Sequence, residues 1–222
     1  ILCARGGFGS ARILPFLNFD VISANPKVFV GFSDITVLLA AFHTKARLLT
    51  FHGPVATTMG SGSEKTRESF FDAITSNAVI RLTPSEPIVL QKGQAVGRVL
   101  GGNLINLCHL IGTPYEPDLD GAILFIEEQR EAPYRIDRML CHLRLSDRLS
   151  RLSGVALGAF SECGGAHVIH EIVKEHFEET NIPIIGGFEI GHINDNLTIP
   201  MGLTAELDTD NGELAFKETA TL

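Results

Sequence analysis

Ser33 lies where an apolar strand-like run changes into a helical pattern. The run ends at Gly31, and the helical spacing begins at Asp34. A serine at the apex of a strand–turn–helix is held clear of the sheet, beside the unpaired N–H groups that begin the helix. These groups stabilise a developing negative charge, so Ser33 is a candidate nucleophile. The alternative is that Ser33 or Asp34 only caps the helix.

A serine nucleophile needs a base, and the base needs a group that orients it. His192 is the candidate base among eight histidines, because it lies in a polar loop just after an apolar strand. Glu127 is the candidate orienting acid, because it directly follows the apolar run 122–126. Adjacent strand residues point to opposite faces, so only one of Glu127 and Glu128 can face the site. The alternatives are an exposed loop histidine and two solvated acids at a strand end.

The segment Arg5–Ser10 is a glycine-rich loop with three glycines in four positions. Its backbone N–H groups, at Gly6 or Gly7, could form one half of an oxyanion hole, and the N–H of Asp34 could form the other half. The loop lacks the Lys-Ser/Thr and the glycine spacing of phosphate-binding loops. An ordinary glycine turn is the remaining interpretation.

Three histidines, at positions 167, 170 and 176, share a predicted helix with several glutamates. The zinc-protease spacing would require a histidine where Lys174 stands. We therefore interpret this stretch as a solvated helix face and predict no metal site. The serine chemistry described above needs no organic cofactor.

The composition limits the class of partner. At 45% hydrophobic residues, the 222-residue chain can bury a sizeable core. The net charge of −8, without a cluster of Lys and Arg, argues against nucleic-acid and anionic-membrane partners. Four widely spaced cysteines are typical of free thiols in a reducing compartment. No apolar stretch is long enough to span a membrane.

The pattern of elements predicts an α/β protein with two lobes. Repeated β–loop–α units in residues 1–75 indicate a doubly wound, Rossmann- or flavodoxin-like lobe that carries Ser33. The apolar start without Met predicts that this lobe is truncated at its beginning. Residues 76–94 are predicted to be a linker rich in Pro and Gly, and residues 95–222 a β-rich α/β lobe that carries Glu127 and His192.

Six segments occur in a fixed order along nearly the whole chain and resemble the LD-carboxypeptidase family, which is serine peptidase family S66. They are Arg-Gly-Gly-Phe-Gly-Ser-Ala-Arg (5–12), Gly-Phe-Ser-Asp-Ile-Thr (31–36), Phe-His-Gly-Pro (51–54), Gly-Gly-Asn-Leu (101–104), Leu-Phe-Ile-Glu-Glu with Pro-Tyr-Arg-Ile-Asp-Arg-Met-Leu (124–128 and 133–140), and Gly-His-Ile-Asn-Asp-Asn-Leu-Thr-Ile-Pro-Met-Gly (191–202).

The resemblance implies a triad of Ser33, Glu127 and His192 that assembles across the cleft between the lobes. It also implies an oxyanion hole from the Gly-Gly loop and from the amide that follows Ser33. One departure concerns the acid pair, which is Glu127-Glu128 where the family pattern has Glu-Asp. This departure leaves open which of the two carboxylates faces His192.

The activity that the resemblance implies is hydrolysis of an L,D peptide bond. The substrate would be a cytoplasmic murein tetrapeptide that loses its terminal D-alanine during peptidoglycan recycling, and the enzyme would be a homodimer. A terminal carboxylate on the substrate predicts an arginine near Ser33, for which Arg5 and then Arg135 are candidates. One alternative is cleavage of peptide–nucleotide antibiotic conjugates, which gives self-immunity. The other is a non-catalytic α/β ligand-binding module.

Overall fold

The computed structural model describes residues 1–221 and contains two sheets. The smaller sheet has three strands, β1 (Val30–Gly31), β2 (Thr50–His52) and β9 (Ile199–Met201). β1 and β2 are parallel, β9 is antiparallel to β2, and Leu2 adds a single parallel bridge to β1. The strand that carries the Ser33 segment is therefore paired with a strand from late in the chain.

The larger sheet has eight strands in the order β3-β11-β10-β5-β6-β7-β8-β4. The four central strands, β5 to β8, are parallel to one another, and the outer strands are antiparallel. The bounds are β3 (Arg81–Leu82), β4 (Ile88–Gln91), β5 (Gln94–Asn103), β6 (Ile123–Gln129), β7 (Gly154–Ser161), β8 (Ile184–Gly186), β10 (Thr204–Asp208) and β11 (Glu213–Phe216).

Eight α-helices are present in residues 1–221. Their bounds are α1 (Ser10–Ile13), α2 (Phe19–Ala24), α3 (Thr36–Ala46), α4 (Ala56–Met59), α5 (Glu64–Thr75), α6 (Leu104–Cys108), α7 (Pro133–Leu145) and α8 (Ala166–Phe177). Apolar residues of α6, α7 and α8 form one core with one face of β6 and β7, and the opposite face of these strands packs in a second core with Ile190 and Ile199. The predicted mixed α/β fold is thus confirmed.

Helix α3 is buried on more than its apolar stripe. The pattern of residues 34–45 predicts a helix with an apolar stripe at Ile35, Leu38, Leu39 and Phe42; all four are buried, and so is every residue from Thr36 to Phe42. The helix contacts α2, α6, β2 and β5, so that protein surrounds it on several sides. Small residues such as Ala40 and Ala41 let these elements approach closely, so burial extends beyond the predicted stripe.

The stretch 76–94 is not a free linker, because it contains β3 and β4. β3 pairs with β11, and β4 pairs with β8 at the opposite edge of the large sheet. Sequence reasoning also missed α2 and β9. The lobe boundaries near residues 75 and 95 stay a prediction, and β9 joins the smaller sheet although it belongs to the later part of the chain. No helix within residues 1–221 has both the length and the apolar character needed to cross a bilayer.

Candidate active site

Ser33 stands in a sharp turn between β1 and α3. Its φ angle is 65°, in the left-handed region that non-glycine residues rarely adopt, so the surrounding structure must hold it there. A side chain at Gly31 would approach Ile35 within 2.7 Å, which explains the glycine just before the turn. The buried carboxylate of Asp34 accepts hydrogen bonds from the backbone N–H and the hydroxyl of Ser10, at 3.0 and 2.7 Å. These bonds tie the glycine-rich loop to the turn.

Strand alternation sends the two neighbouring acids to opposite faces of the large sheet. Phe125 lies in the core that faces β9, whereas Ile126 lies in the core beneath α6 to α8. Two residues further on, Glu127 shares the face of Phe125, and Glu128 shares the face of Ile126. Glu128 accepts hydrogen bonds from the side chain of Asn103 at 2.8 Å and from backbone amides. Glu128 therefore makes its hydrogen bonds to groups other than His192.

His192 lies in the loop that follows β8. The loop is fixed by a hydrogen bond from the Ser161 hydroxyl to the carbonyl of His192, at 2.7 Å, and by one from the Gly191 N–H to Asn196, at 2.8 Å. A Cβ at Gly191 would lie 2.6 Å from Oε2 of Glu127. Glycine at this position lets the loop lie directly on the carboxylate.

Ser33, His192 and Glu127 form a continuous series of hydrogen bonds. The Ser33 Oγ is 3.0 Å from Nε2 of His192, and Nδ1 of His192 is 2.6 Å from Oε2 of Glu127. This order of alcohol, imidazole and carboxylate can transfer the serine proton to the imidazole while the carboxylate stabilises the imidazolium. The three residues are separated by up to 159 positions in the chain, and the fold brings them together.

The electrostatic surroundings favour an ionised acid beside a basic imidazole. Burial by itself raises the pKa of Glu127, but the hydrogen bond from His192 and the nearby imidazoles of His192 and His52 outweigh burial and hold it at about 2. Burial lowers the pKa of His192, yet its hydrogen bond to Glu127 and the negative charge of that carboxylate raise it above its ordinary value. An imidazole with a raised pKa is a stronger base for the serine proton.

His52 is a polar residue of the site that sequence reasoning did not single out. It closes β2, is fully buried, and has its Nε2 4.0 Å from Oε1 of Glu127. The signal in the sequence was a histidine at a strand end within Phe-His-Gly-Pro, but only the structure places it beside the acid.

The glycines of the predicted oxyanion hole differ in position. A Cβ at Gly6 would lie 2.9 Å from the Cβ and 3.1 Å from the Oγ of Ser33, so only glycine lets the loop approach the nucleophile this closely. Gly7 is exposed, and a Cβ there would meet no atom within 4 Å. The structure therefore brings Gly6 to Ser33 and leaves Gly7 on the outer side of the loop.

The two arginines predicted to hold a substrate carboxylate lie in different settings. Arg5 directly precedes Gly6 and is exposed. Arg135 lies on the exposed side of α7, where it bonds to Glu131 and Tyr134. A cavity of about 470 Å³ next to His192 is lined by other residues, among them Phe32 and Gln129, and by no arginine.

One histidine of α8 departs from the predicted solvated helix face. His176 is buried, with 9% exposure, and its Nε2 lies 2.8 Å from the carboxylate of Asp137 on α7. It is therefore not part of a solvated face, because α7 covers that side of the helix. Among the residues described, no three His, Cys, Asp or Glu side chains are grouped so that they could hold a metal ion.

The chain matches known proteins along most of its length. Residues 1–53 match the N-terminal domain of LD-carboxypeptidases, and residues 96–207 match the C-terminal domain. A putative carboxypeptidase from Synechocystis is 38% identical over 97% of this chain and 72% of its own length. A fold with a strained serine turn and this domain pair defines a serine-type carboxypeptidase. The chain belongs to the LD-carboxypeptidase family, as the sequence resemblance predicted.

Two solved structures similar to this chain carry names that indicate different activities. The muramoyltetrapeptide carboxypeptidase from Oxalobacter formigenes has a TM-score of 0.83 and 31% identity, over 97% of this chain and 76% of that one. The microcin C7 self-immunity protein MccF, known from Escherichia coli, has a TM-score of 0.91 and 29% identity in its wild-type apo state, over 100% of this chain and 76% of that one. MccF has also been solved with aspartyl sulfamoyl adenosine.

Proposed function

We propose that this carboxypeptidase removes the terminal D-alanine of murein tetrapeptides, with Ser33, His192 and Glu127 as its catalytic triad. The observation that carries the proposal is the unbroken series of hydrogen bonds from Ser33 through His192 to Glu127, at 3.0 and 2.6 Å. The substrate is supported by the name of the Oxalobacter relative, which is a muramoyltetrapeptide carboxypeptidase.

In this mechanism the Ser33 Oγ attacks the carbonyl carbon of the L,D bond while Nε2 of His192 accepts the hydroxyl proton. Glu127 keeps the proton on Nδ1 and stabilises the imidazolium. The tetrahedral intermediate then collapses, and His192 gives its proton to the leaving amine of D-alanine. A water molecule, activated by His192, hydrolyses the acyl-enzyme and restores the serine.

The oxyanion is stabilised by backbone N–H groups of the two segments that meet at Ser33. The amide of Asp34 and the backbone at Gly6 are the proposed donors, because the loop at Gly6 leaves no room for a side chain beside the serine. Gly7 is the weaker candidate, since it faces outward. A single donor of this kind lowers the barrier by roughly 3–4 kcal/mol.

An enzyme that removes a terminal residue must recognise a free carboxylate. Arg5 is the proposed partner, because it adjoins the loop that contacts Ser33, whereas Arg135 is bonded to Glu131 and Tyr134 on α7. A guanidinium binds a carboxylate through two parallel N–H donors, which fixes the chain end as well as its charge.

The test is release of free D-alanine from a murein tetrapeptide, measured with wild-type protein, Ser33→Ala and the control Ser150→Ala. Ser150 is exposed and makes no contribution to the series of hydrogen bonds. We expect release by wild type and the control, and a loss of roughly 10⁴-fold or more in Ser33→Ala. Equal release by Ser33→Ala would reject the nucleophile. No release by folded wild-type protein would reject the substrate.

A second candidate function is cleavage of aminoacyl-nucleotide conjugates, as in self-immunity. The higher TM-score of the MccF structure, 0.91 against 0.83, is the observation that favours it. Against it stands the lack of tryptophan in this chain, because stacking on a nucleobase favours large aromatic side chains. Incubation with aspartyl sulfamoyl adenosine distinguishes the two functions, since only the second predicts release of aspartate.

We also propose that the protein works as a cytoplasmic homodimer with lobes at 1–75 and 95–222. The four cysteines, which are unpaired in residues 1–221, agree with a reducing compartment. The net charge of −8 agrees with a small peptide substrate rather than a nucleic acid. Light scattering coupled to size-exclusion chromatography would measure the oligomeric state.

A further inference from the structure

The ring of His52 is enclosed without a hydrogen-bond partner. The residue has 0% exposure, and neither Nδ1 nor Nε2 bonds to another group within residues 1–221. Aromatic rings hold it on two sides, with centroid distances of 6.0 Å to Phe32 and 5.1 Å to Phe125, both edge-on. Buried polar groups without partners are rare and call for an explanation.

The nearest charged group that faces His52 is the carboxylate of Glu127. The distance from Nε2 to Oε1 is 4.0 Å, and Oε1 itself has no hydrogen-bond partner, whereas Oε2 is bonded to His192. A buried carboxylate oxygen without a donor is costly. A movement of about 1 Å by either side chain brings Nε2 and Oε1 to hydrogen-bond distance. Catalytic hydrogen bonds are often long in the ligand-free state and shorten when substrate binds.

We propose that His52 is a positioning residue that donates its Nε2–H to Oε1 of Glu127 and so keeps Oε2 directed at His192. The proposed triad then extends to a fourth member, in the order Ser33, His192, Glu127, His52. His52 touches neither the substrate nor the reacting atoms and acts through Glu127. This inference rests on the proposed triad and deepens it.

The chemistry of a neutral imidazole suits this role. With its proton on Nε2, the ring is a donor toward Glu127 and adds no second positive charge beside His192. The position is also suited geometrically, because the backbone of His52 is paired in the smaller sheet with Gly31 and Ile199. The ring is therefore anchored to the strand next to the one that leads into Ser33.

A purely apolar packing role makes the opposite prediction. If His52 only fills space between Phe32 and Phe125, then His52→Leu removes two unpaired ring nitrogens from the interior and leaves activity unchanged. If His52 supports Glu127, the same change leaves Oε1 of Glu127 without a donor. His52→Gln supplies a side-chain N–H at nearly the position of Nε2 and is the conservative rescue.

The experiment compares kcat and KM for D-alanine release in wild type, His52→Leu and His52→Gln, with Ser33→Ala as the reference for the triad. We expect kcat to fall roughly 10- to 100-fold in His52→Leu, as for other residues that orient a catalytic side chain, with little change in KM. His52→Gln should recover most of the loss. Circular dichroism and thermal melts select variants that remain folded.

A second measurement does not depend on the substrate. The proton between Nδ1 of His192 and Glu127 should give a low-field proton resonance in folded wild type and in His52→Gln, and this signal should weaken or shift in His52→Leu. Full kcat together with an unchanged resonance in folded His52→Leu would overturn the inference about His52. That outcome would leave the triad intact, because the triad is tested separately by Ser33→Ala and Glu127→Gln.

Discussion

Replacing Glu127 by glutamine removes one negative charge from the interior while the size of the side chain stays nearly the same. In wild type, Oε2 of Glu127 accepts the Nδ1–H of His192 at 2.6 Å, and the carboxylate has no exposure to solvent. The amide can present its oxygen to His192, which preserves the hydrogen bond without the charge, or its NH₂, which forces the proton to Nε2. In the second arrangement, His192 cannot accept the proton of Ser33.

The lower end of the expected loss of kcat follows from the missing charge. The centres of the delocalised charges on imidazolium and carboxylate lie about 4 Å apart, which corresponds to about 4 kcal/mol at an effective dielectric constant of about 20. A barrier raised by this amount slows the reaction on the order of 10³-fold. The unfavourable tautomer adds to this, and a loss of about 10⁴-fold is the reference value for an acid-to-amide change in a triad.

The assay is kcat for D-alanine release, with Glu128→Gln as the matched control. Both residues are buried glutamates on β6, but Glu128 bonds to Asn103 and backbone amides on the opposite face. We expect a loss of about 10³- to 10⁴-fold for Glu127→Gln and less than about tenfold for Glu128→Gln. If folded Glu127→Gln lost less than about tenfold, or if the two variants lost equally, the assignment of the orienting acid would be wrong.

Three further predictions concern the same site. Because the pKa of Glu127 is lowered from 4.5 to about 2, its stabilising contribution is complete above pH 4.5 and is lost as the pH falls through about 2. Urea midpoints should therefore differ between wild type and Glu127→Gln above this window and converge below it; a difference that does not depend on pH would contradict the shift. Gly191→Ala places a Cβ 2.6 Å from the Glu127 carboxylate at a φ of 121°, and it should abolish activity. Gly165→Ala is the control, because its φ is 104° but a Cβ there meets no atom within 4 Å; it should lower only the free energy of unfolding, by about 1–3 kcal/mol. Equal loss of kcat in both would refute the close contact. Arg5→Gln should raise KM for the tetrapeptide roughly 10- to 100-fold with little change in kcat, and Arg135→Gln should leave KM near the wild-type value; the reverse result would move the carboxylate site to α7.

Some helices and strands can be predicted from the sequence because residues close together in the chain determine them. The amphipathic pattern of residues 64–75 predicts a helix, and helix α5 begins at Glu64, where Ser63 caps it, and ends at Thr75. The pair Asn211-Gly212 predicts a hairpin, which the structure has in β10 and β11, and Gly212 adopts a φ of 63°. In such places, a few neighbouring residues suffice to fix the backbone.

Other elements depended on distant partners. The three-residue strand β9 has no turn or alternation that marks it, and it exists because it pairs with β2 across about 150 positions of sequence. The burial of α3 on several sides likewise results from elements that pack around it. The apolar pattern predicts the stripe that is buried, but it carries no information on the neighbours that bury the rest of the helix.

The sequence by itself determined the candidates: a serine at a strand–turn–helix junction, an acid pair after an apolar strand, and a histidine in a late glycine loop. Residue types and local periodicity are enough for this, because they fix the backbone within a few residues. Only the tertiary structure decided which atoms meet. It set Glu127 rather than Glu128 against His192 through strand alternation, brought Gly6 rather than Gly7 to Ser33, and placed His52 behind the acid. Distances of 3–4 Å between residues far apart in the chain depend on the packing of both sheets, and no short stretch of sequence contains them.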